Sequence, residues 1–312
     1  MREYLLPDKS HFFKANLHAH STVSDGCLSP AELKAAYKSE GYSIISITDH
    51  FKFCNHTDLS DDEFLVINGC ELAIVEPGDY EFRFKKCCHL NLFAKNPDID
   101  TLFDYRTEYT PEGINEIISL ANESGFLVCC NHPTWSMEDI DTICEYKGLF
   151  GIEIFNTLST VNGVDEYNVH ELDYLLRHGK KIYPIAADDC HGNLPKSHPY
   201  CDMFGGFIMV AADSLDYNTI IKALTYGDFY ASCGPEFYEI FIENGIVCLK
   251  CSPVREIKMI TGTRRTYRTA VSDNSEDYTT EAEFTVSRDN KYIRFEITDK
   301  NGKKANTRAY FL

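Results

Sequence analysis

Short apolar runs alternate with amphipathic or polar stretches from residue 15 to about residue 232, and few folds accommodate that order. Apolar runs bounded by turn residues are typical of buried strands, and helical patterns fall between several of these runs. The order indicates βα units, which assemble into a parallel sheet or a barrel. The predicted strands cover residues 15–20, 43–48, 64–67, 89–94, 126–130, 151–155, 182–187 and 206–212, and the predicted helices cover residues 30–40, 111–124, 164–178 and 216–227.

The first predicted helix has clear start and stop signals. Ser29 is suited to the N-cap, and Pro30 then occupies the first helical position, where a missing N–H costs nothing. Gly41 ends the pattern. The sequence therefore predicts a helix that joins the first two strands.

The pattern changes after the turn-rich segment Cys233-Gly234-Pro235. Residues 237–243 alternate in polarity, Asn244-Gly245 is a strong hairpin signal, and an apolar run returns over residues 246–251. Further strand-like runs cover residues 256–260, 281–286 and 292–297, with no convincing helix among them. We expect two domains, a barrel over residues 1–235 and a small all-β, sandwich-like domain over residues 236–312.

Charge and composition exclude several classes of protein. The 312-residue chain has 30 basic and 48 acidic side chains, a formal net charge of -18, which argues against a nucleic-acid partner. No apolar stretch reaches the roughly 18 residues of a membrane span, and the N-terminus lacks the features of a signal peptide. The 13 cysteines do not form a disulfide framework, and the Cys248-x-x-Cys251 pair lacks a second pair to complete a zinc site. We expect a cytoplasmic protein without a membrane partner; the sequence leaves its oligomeric state open.

Histidines and carboxylates collect where the predicted strands end. One histidine beside a strand is usually a hydrogen-bonded structural residue, but here six of the 11 histidines lie at such positions together with three acidic residues. Two residues that are two apart on a strand share a face, so a pair of histidines so spaced can hold one ion. Imidazoles and carboxylates together suit Zn²⁺, Mn²⁺ or Fe²⁺. The nine candidate ligands are His18, His20, Asp25, His50, Glu71, His89, His132, Asp189 and His191; His11, His56, His170 and His178 are interpreted as surface residues.

These motifs, in this order, resemble those of the PHP (polymerase and histidinol phosphatase) superfamily. The resemblance spans residues 15 to about 232, and the stretch from Ala223 to Pro235 is similar to the barrel end in members with a C-terminal β domain. The motifs are His18-Ala19-His20 followed by Asp25, Thr48-Asp49-His50, Gly69-Cys70-Glu71, His89, Asn131-His132-Pro133 and Asp189-Cys190-His191.

The resemblance implies a distorted seven-stranded (β/α) barrel, similar to a TIM barrel, with two or three divalent ions (Zn, Mn or Fe). By position it assigns His18, His20, Glu71 and Asp189 to the first ion. It makes Glu71 a bridge to a second ion held by His89 and His132, and gives Asp25, His50 and His191 to the third. The catalytic residues it implies are Asp189, His191 and Glu71.

The function that fits a metal cluster at the strand ends of a barrel is hydrolysis of a small phosphorylated metabolite through a metal-bound hydroxide. Arg83, Lys196, His198 and Asn156 are candidates for binding the substrate, and Glu153 is a further candidate for lining the pocket or packing beside it. Two alternatives stay open. The same metals suit hydrolysis of an amide or cyclic carbonyl compound, although a glutamate rather than a carboxylated lysine at the bridging position favours phosphorus. The chain can also be a non-catalytic binding module with structural metals.

Overall fold

The computed structural model describes residues 2–7, 12–271 and 277–312, so His11 lies outside the described residues. The strands are β1 (Glu3–Leu6), β2 (Phe12–Asn16), β3 (Ile44–Ile47), β4 (Leu65–Val75), β5 (Cys87–Ala94), β6 (Phe126–Cys130), β7 (Gly151–Asn156), β8 (Tyr183–Ala187), β9 (Phe207–Ala211), β10 (Phe229–Ser232), β11 (Phe237–Glu243), β12 (Ile246–Val254), β13 (Glu256–Thr261), β14 (Thr266–Ala270), β15 (Thr279–Thr285), β16 (Tyr292–Thr298), β17 (Lys304–Thr307) and β18 (Tyr310–Phe311). The helices are α1 (Pro30–Ser39), α2 (Pro111–Glu123), α3 (Ile140–Glu145), α4 (Thr157–Val161), α5 (Val169–Arg177) and α6 (Tyr217–Tyr226).

Helix α1 begins as its sequence predicts. The Ser29 side chain accepts a hydrogen bond from the Glu32 backbone N–H, and the Glu32 carboxylate accepts one from the Ser29 backbone N–H at 2.8 Å. Gly41, with φ of 75°, follows the helix end in the left-handed region that suits glycine. This reciprocal capping satisfies two backbone donors and fixes where the chain leaves the preceding loop.

Helix α5 is shorter than its sequence pattern predicts. The pattern extends from residue 164, but the helix begins at Val169. Two contacts hold the preceding segment: Tyr167 bridges Phe155 of β7, and the Asn168 backbone N–H donates to the Ile154 carbonyl at 2.9 Å. Pairing with β7 therefore overrides the local helical preference.

Strands β2 to β8 lie side by side in chain order. Parallel pairing joins β2, β3 and β4, and again β6, β7 and β8, whereas β5 runs antiparallel to both β4 and β6. The carboxyl-end continuations of β2 and β8 meet, because Ala19 bridges Cys190 and the Asp189 backbone N–H donates to the His18 carbonyl at 2.9 Å. The ends of the first and last of these seven strands are thereby brought together.

The fold is mixed α/β with one large sheet, and it differs from a regular (β/α) barrel in two respects. First, β5 is reversed, so the segment between β4 and β5 forms a hairpin-like connection rather than a crossover helix. Second, the outer edge of β2 pairs antiparallel with β9 over residues 12–15. Because β9 occupies this edge of β2, only the residues that follow β2 contact the segment that follows β8. Hydrogen bonds therefore join the first and last of the seven strands only beyond their carboxyl ends.

The strands that follow residue 235 form two facing sheets. Strands β1, β11, β12 and β15 make a separate sheet, while β13, β14, β16 and β17 continue the large sheet through β10 and β9. Apolar side chains of both layers, including Phe237, Leu249 and Phe295, share one buried cluster. The arrangement is sandwich-like, as expected, but Glu3–Leu6 pairs with β11, so the start of the chain packs on this C-terminal layer.

Two further expectations concern cysteines and membranes. All 13 cysteines are free thiols, including Cys248 and Cys251 on β12. Among the described residues no helix is long and apolar enough to cross a membrane.

A buried ion pair ties the C-terminal strands to helix α5. Arg294 of β16 is 1% exposed and binds both carboxylate oxygens of Asp173, with Nε to Oδ1 at 2.8 Å and Nη2 to Oδ2 at 2.7 Å. Its Nη1 donates to Asn306 Oδ1 at 2.9 Å. The guanidinium is therefore held by three hydrogen bonds and is itself buried, while the Asp173 side chain is 16% exposed.

We expect Arg294→Ala to lower the free energy of unfolding by about 3–5 kcal/mol, because it leaves the Asp173 carboxylate without its charge partner at a buried interface. Urea denaturation followed by circular dichroism measures the change. Arg308→Ala is the control, since Arg308 pairs with Asp228 at 3.5 Å near the surface and such pairs contribute about 1 kcal/mol or less. Equal effects of the two substitutions would contradict a special role for the buried pair.

Candidate metal centre

The segment that follows β2 brings two histidines onto one buried face. His18 and His20 flank Ala19, whose bridge to Cys190 fixes the backbone in an extended form. Both imidazoles are fully buried, and their Nε2 atoms lie 3.2 Å apart. The alternation of side chains along a strand thus gives the shared face that the sequence predicts.

Four side chains form a first group around these two histidines. Asp189 Oδ1 lies 3.2 Å from His18 Nε2 and 3.0 Å from His20 Nε2. Glu71 Oε1 lies 3.3 Å from His18 Nε2, and Glu71 Oε2 lies 3.4 Å from His20 Nε2. Two ligands of one tetrahedral zinc ion, at bond lengths of about 2.0–2.1 Å, are about 3.3 Å apart. The spacing in this group therefore suits a single ion.

A second group shares Glu71 with the first. Glu71 Oε1 lies 3.1 Å from His89 Nδ1 and 3.3 Å from His132 Nε2. His132 is oriented by a contact of 3.1 Å between its Nδ1 and Ser136 Oγ. Glu71 lies within β4 rather than after it. The hydrogen-bonded strand therefore fixes the backbone of Glu71, and its carboxylate lies where the first and second groups meet.

A third, more open group lies beside His20. Asp25 Oδ2 is 3.8 Å from His50 Nε2 and 3.6 Å from His191 Nε2, and the Asp25 side chain is 54% exposed. The His20 ring stacks between those of His50 and His191, with centroids at 4.3 and 4.4 Å. All nine candidate ligands predicted from the sequence are therefore brought together, and His20 joins the third group as well as the first.

The donor set fits divalent cations. Buried polar atoms without a hydrogen-bond partner include His20 Nδ1 and His89 Nε2. His50 Nδ1 and Glu71 Oε2 lie 3.0 Å apart and contact each other. An unpaired buried polar atom is costly, and two of them in one cluster indicate that a bound group completes the site. The histidine, aspartate and glutamate side chains of these groups suit Zn²⁺, Mn²⁺ or Fe²⁺.

The electrostatics of the cluster lead to the same conclusion. Burial opposes protonation of His18, but the carboxylates of Asp189 and Glu71 outweigh it and hold the pKa of His18 well above its usual range. Burial likewise disfavours the Glu71 carboxylate, but His18 and His89 nevertheless keep the pKa of Glu71 well below its usual range. The carboxylates thus attract positive charge strongly, and neutral histidines with divalent ions would meet that demand at neutral pH.

Two candidate ligands occupy strained backbone. The φ angle is 23° at His132 and 56° at Asp189, in a region that residues other than glycine rarely adopt. At Asp189 the backbone is fixed by the bond to the His18 carbonyl, and at His132 the backbone N–H donates to Glu153 Oε2 at 3.0 Å. Strain of this kind persists where the surroundings over-determine a functional side chain.

Glu153 orients two of the candidate ligands, His18 and His132, from the side away from the metal groups. Its Oε1 lies 2.7 Å from His18 Nδ1, while its Oε2 accepts from the His132 backbone and from Asn156 Nδ2, both at 3.0 Å. A carboxylate on the far nitrogen of a ligand histidine fixes the ring and its tautomer. The sequence left two positions open for Glu153, one lining the pocket and one packed beside it. The side chain is buried and does not line the pocket, so it occupies the packed position.

Asn156 is also enclosed, contrary to its expected position against substrate. Its Nδ2 donates to Glu153 Oε2 and lies 3.3 Å from Asp189 Oδ2, and its Oδ1 accepts from the Ser159 backbone at the start of α4. All of its polar atoms are therefore used inside the protein. The side chain supports Asp189 instead of facing the cavity.

The three basic candidates for substrate binding also lie elsewhere. Arg83 pairs with Glu81 at 2.8 Å, and Lys196 Nζ contacts Glu40 Oε2 at 2.5 Å. His198 is exposed, and its Nδ1 accepts from the Tyr200 backbone at 3.2 Å. None of the three lines the cavity at the cluster, because exposed loop cations pair with the nearest carboxylate or peptide group.

Sequence reasoning missed several residues that support the site. Trp135 lines the cavity, and its ring packs edge-on against His89 and His132 at 5.4 and 5.0 Å. Asp49 accepts from Ser21 and Ser24 and so shapes the loop before Asp25, while Glu166 accepts from the Thr134 and Trp135 backbones. Of the four histidines interpreted as surface residues, His170 and His178 are exposed as predicted, His56 is half-buried, and His11 lies outside the described residues. Of these supporting residues, only Trp135 could have been suspected from the sequence, because it follows the candidate ligand His132 by three residues.

These side chains enclose what we call the metal cavity, of about 250 Å³. Its lining combines seven of the nine candidate ligands, all but His18 and His20, with Trp135, Leu158, Ser159 and Asn162, and no lysine or arginine is among the described residues that line it. A negatively charged substrate therefore depends on bound cations for attraction.

We expect Glu153→Gln to lower metal affinity or activity by about 10–100-fold, as loss of such an orienting partner does in other metal sites. The amide preserves shape but presents an N–H where His18 Nδ1 now meets a carboxylate. Metal affinity, measured by competition with a chelating dye, is the readout that a merely structural role would not change. Glu145→Gln, on the surface at the end of α3, is the control, and unchanged affinity in Glu153→Gln would contradict the assignment.

No protein-family model matches this chain, and no curated protein matches it. Among solved structures it is similar to a two-domain protein from Bacteroides vulgatus described as containing a predicted PHP-like metal-dependent phosphoesterase, at 16% identity and a TM-score of 0.49, over 99% of this chain and 98% of that chain. A proposed metal-dependent phosphoesterase from Bifidobacterium adolescentis is 15% identical, with a TM-score of 0.41, over 59% and 89%. An amidohydrolase from Chromobacterium violaceum, with bound sulfate and no metal, is 15% identical, with a TM-score of 0.38, over 60% and 93%.

Proposed function

We propose that this protein is a metal-dependent phosphoesterase that hydrolyses a small phosphorylated metabolite. The observation that carries the proposal is the Glu71 carboxylate, whose oxygens contact the first and second ligand groups at 3.1–3.4 Å. A carboxylate at that position can hold two ions side by side. Adjacent divalent ions acidify water to a nucleophile at neutral pH and neutralise the oxygens of a phosphoryl group.

The chain's own residues would prepare the site for that chemistry. His18, His20 and Asp189 would hold one ion, and His89 and His132 would hold the second, with Glu71 between them. Asp25, His50 and His191 would hold a third at the solvent side. Glu71, Asp189 and His191 are the residues whose loss we expect to affect catalysis most.

Two other elements of the interpretation belong to the proposal. The seven strands β2 to β8 act as a distorted barrel, because the six strands that run in one direction point their carboxyl ends towards the cluster, as in barrel enzymes, and the reversed β5 points its amino end, with His89, towards it. We also place the division between the two domains near residue 235. A cytoplasmic location fits 13 unpaired thiols, which suit a reducing compartment.

We expect measurable hydrolysis of small phosphate esters and little digestion of DNA or RNA. A net charge of -18 repels a long polyanion beyond the site, and charges are screened over about 8 Å at physiological salt. Initial rates on p-nitrophenyl phosphate, mononucleotides and a labelled oligonucleotide should be compared at matched Mn²⁺ and salt, with an aryl amide and a lactone included. Faster cleavage per bond of the oligonucleotide would replace the proposal with a nuclease, and activity on the amide or lactone alone would replace it with a carbonyl hydrolase.

A further inference from the structure

The metal cavity adjoins a second cavity that the proposed chemistry leaves unexplained. This second cavity has a volume of about 630 Å³. The two share Leu158 of α4 and Asn162 at the end of that helix. A substrate whose phosphoryl group lay among the candidate ligands would therefore extend its organic part over α4 into the second cavity.

The lining of the second cavity is uncharged except for one carboxylate. Beyond the two shared residues it comprises Val161, Gly163, Asn193, Leu194, Tyr200 and Asp202. Asp202 is buried, and its Oδ2 accepts from the backbones of His191 at 2.7 Å and Gly192 at 3.2 Å. No lysine, arginine or histidine is among the described residues that line this cavity, so its only formal charge is negative.

The nearest cations on the same loop are directed elsewhere. Lys196 Nζ is paired with Glu40, as described above. The His198 ring lies 5.7 Å from that of Tyr200, and its Nδ1 accepts a hydrogen bond from the Tyr200 backbone N–H at 3.2 Å. An anionic group in the second cavity would therefore meet Asp202 without a compensating charge.

The remaining side chains suit a hydroxylated group. Tyr200 is 62% exposed and offers an aromatic face to the solvent side, while Leu158 and Val161 supply an apolar wall. The amides of Asn162 and Asn193 both donate and accept hydrogen bonds, as the hydroxyls of an alcohol require. Resting on the proposed phosphoesterase function, we propose that the substrate's organic part is an uncharged polyol, such as a sugar, bound in this second cavity, and that a second phosphate there is excluded.

The test compares sugar monophosphates with the bisphosphates of the same sugars. For wild-type protein loaded with Mn²⁺ we expect kcat/KM to favour the monophosphates by about ten-fold, the size of effect that one unfavourable charge contact in a partly solvated site produces. Asn193→Lys places a cation in the lining and should remove most of that preference. Asn193→Gln is the matched neutral control and should retain it.

A binding measurement separates recognition from chemistry. Isothermal titration of the Asp189→Asn protein at saturating Mn²⁺ with a sugar monophosphate and its bisphosphate should give tighter binding of the monophosphate, and Asn193→Lys in that background should remove most of that difference. Equal or faster turnover of bisphosphates by the wild type, or an unchanged ratio in Asn193→Lys, would overturn the inference while leaving the phosphoesterase function standing. If the Asp189→Asn protein binds the monophosphate selectively but the wild type hydrolyses no ester, the inference is supported and the proposed activity is refuted.

Discussion

Asp189→Asn is expected to lower the rate of phosphate-ester hydrolysis by about 10³-fold or more, the loss typical when a metal-activated nucleophile is removed. One oxygen of Asp189 contacts both His18 and His20 at 3.0–3.2 Å, and the other lies 3.7 Å from His132 Nε2. The isosteric amide keeps the volume but removes the charge that these contacts need. Steady-state kinetics at saturating Mn²⁺ would measure the loss, and we expect the same size of effect for His18→Ala.

The fold of Asp189→Asn should survive, because most of the stability of a barrel lies in its packed core rather than at its rim. Thermal unfolding monitored by circular dichroism checks this. Asp139→Asn, at an exposed position paired with Lys86, is the matched control and should behave as wild type. Full activity in Asp189→Asn would refute the catalytic assignment, whereas global unfolding would point to metals that serve the structure.

Removal of metal is expected to abolish activity and to destabilise the protein. We expect two or three ions per chain after purification without chelator, since nine ligand residues in three groups exceed what one ion can use. Ions held at about 1,000 times their dissociation constant stabilise the folded state by about 4 kcal/mol per site. Elemental analysis gives the stoichiometry, and dialysis against a chelator followed by Mn²⁺ or Zn²⁺ should restore both activity and stability.

Two further readouts report on the second group of ligands. Trp135 is the chain's only tryptophan and contacts His89 and His132, so paramagnetic Mn²⁺ should quench its fluorescence while Zn²⁺ quenches it less. Burial disfavours the charged form of His89, yet the Glu71 carboxylate outweighs burial and raises the pKa of His89 to about 10 in the metal-free protein. Binding requires the neutral ring, so metal uptake at neutral pH should release a proton and should strengthen as pH rises.

Titration in buffers of different ionisation enthalpy measures the released protons. His89→Gln should reduce both the proton release and the Mn²⁺ quenching, whereas His170→Gln, on the exposed face of α5, should change neither. One ion or fewer per chain after reconstitution, or quenching that is independent of His89, would contradict the clustered centre.

The elements of this fold follow from local sequence signals wherever one signal dominates. The capping residues Ser29 and Glu32 fix the start of α1, and alternation with the Asn244-Gly245 turn fixes the β11 to β12 hairpin. Strands β1, β10, β14, β17 and β18 carry no comparable pattern and were not predicted. They exist because neighbouring strands supply their hydrogen-bond partners, which is a tertiary effect.

The candidate ligands could be identified from the sequence because strand ends in one sheet converge, so histidines and carboxylates at those ends meet. Their partners could not be identified in the same way. Glu153 and Asn156 sit at the end of β7, where a position facing the substrate and a position facing the protein differ only by side-chain direction. That direction is set by His18 and Asp189, which lie more than thirty residues away in the chain.

By itself, then, the sequence determined most of the strands, the four longer helices, the nine candidate ligand residues and the negative charge that disfavours a polyanion, because each depends on local pattern or composition. Tertiary structure alone decided that β5 runs backwards between β4 and β6, and that β9 occupies the outer edge of β2. It also decided that Arg83 and Lys196 pair with nearby acids and that a cavity with a single carboxylate, Asp202, opens beside the candidate ligands. The reason is the same in each case: edges, cavities and ion pairs are formed by residues distant in sequence, and their energies depend on which surfaces meet.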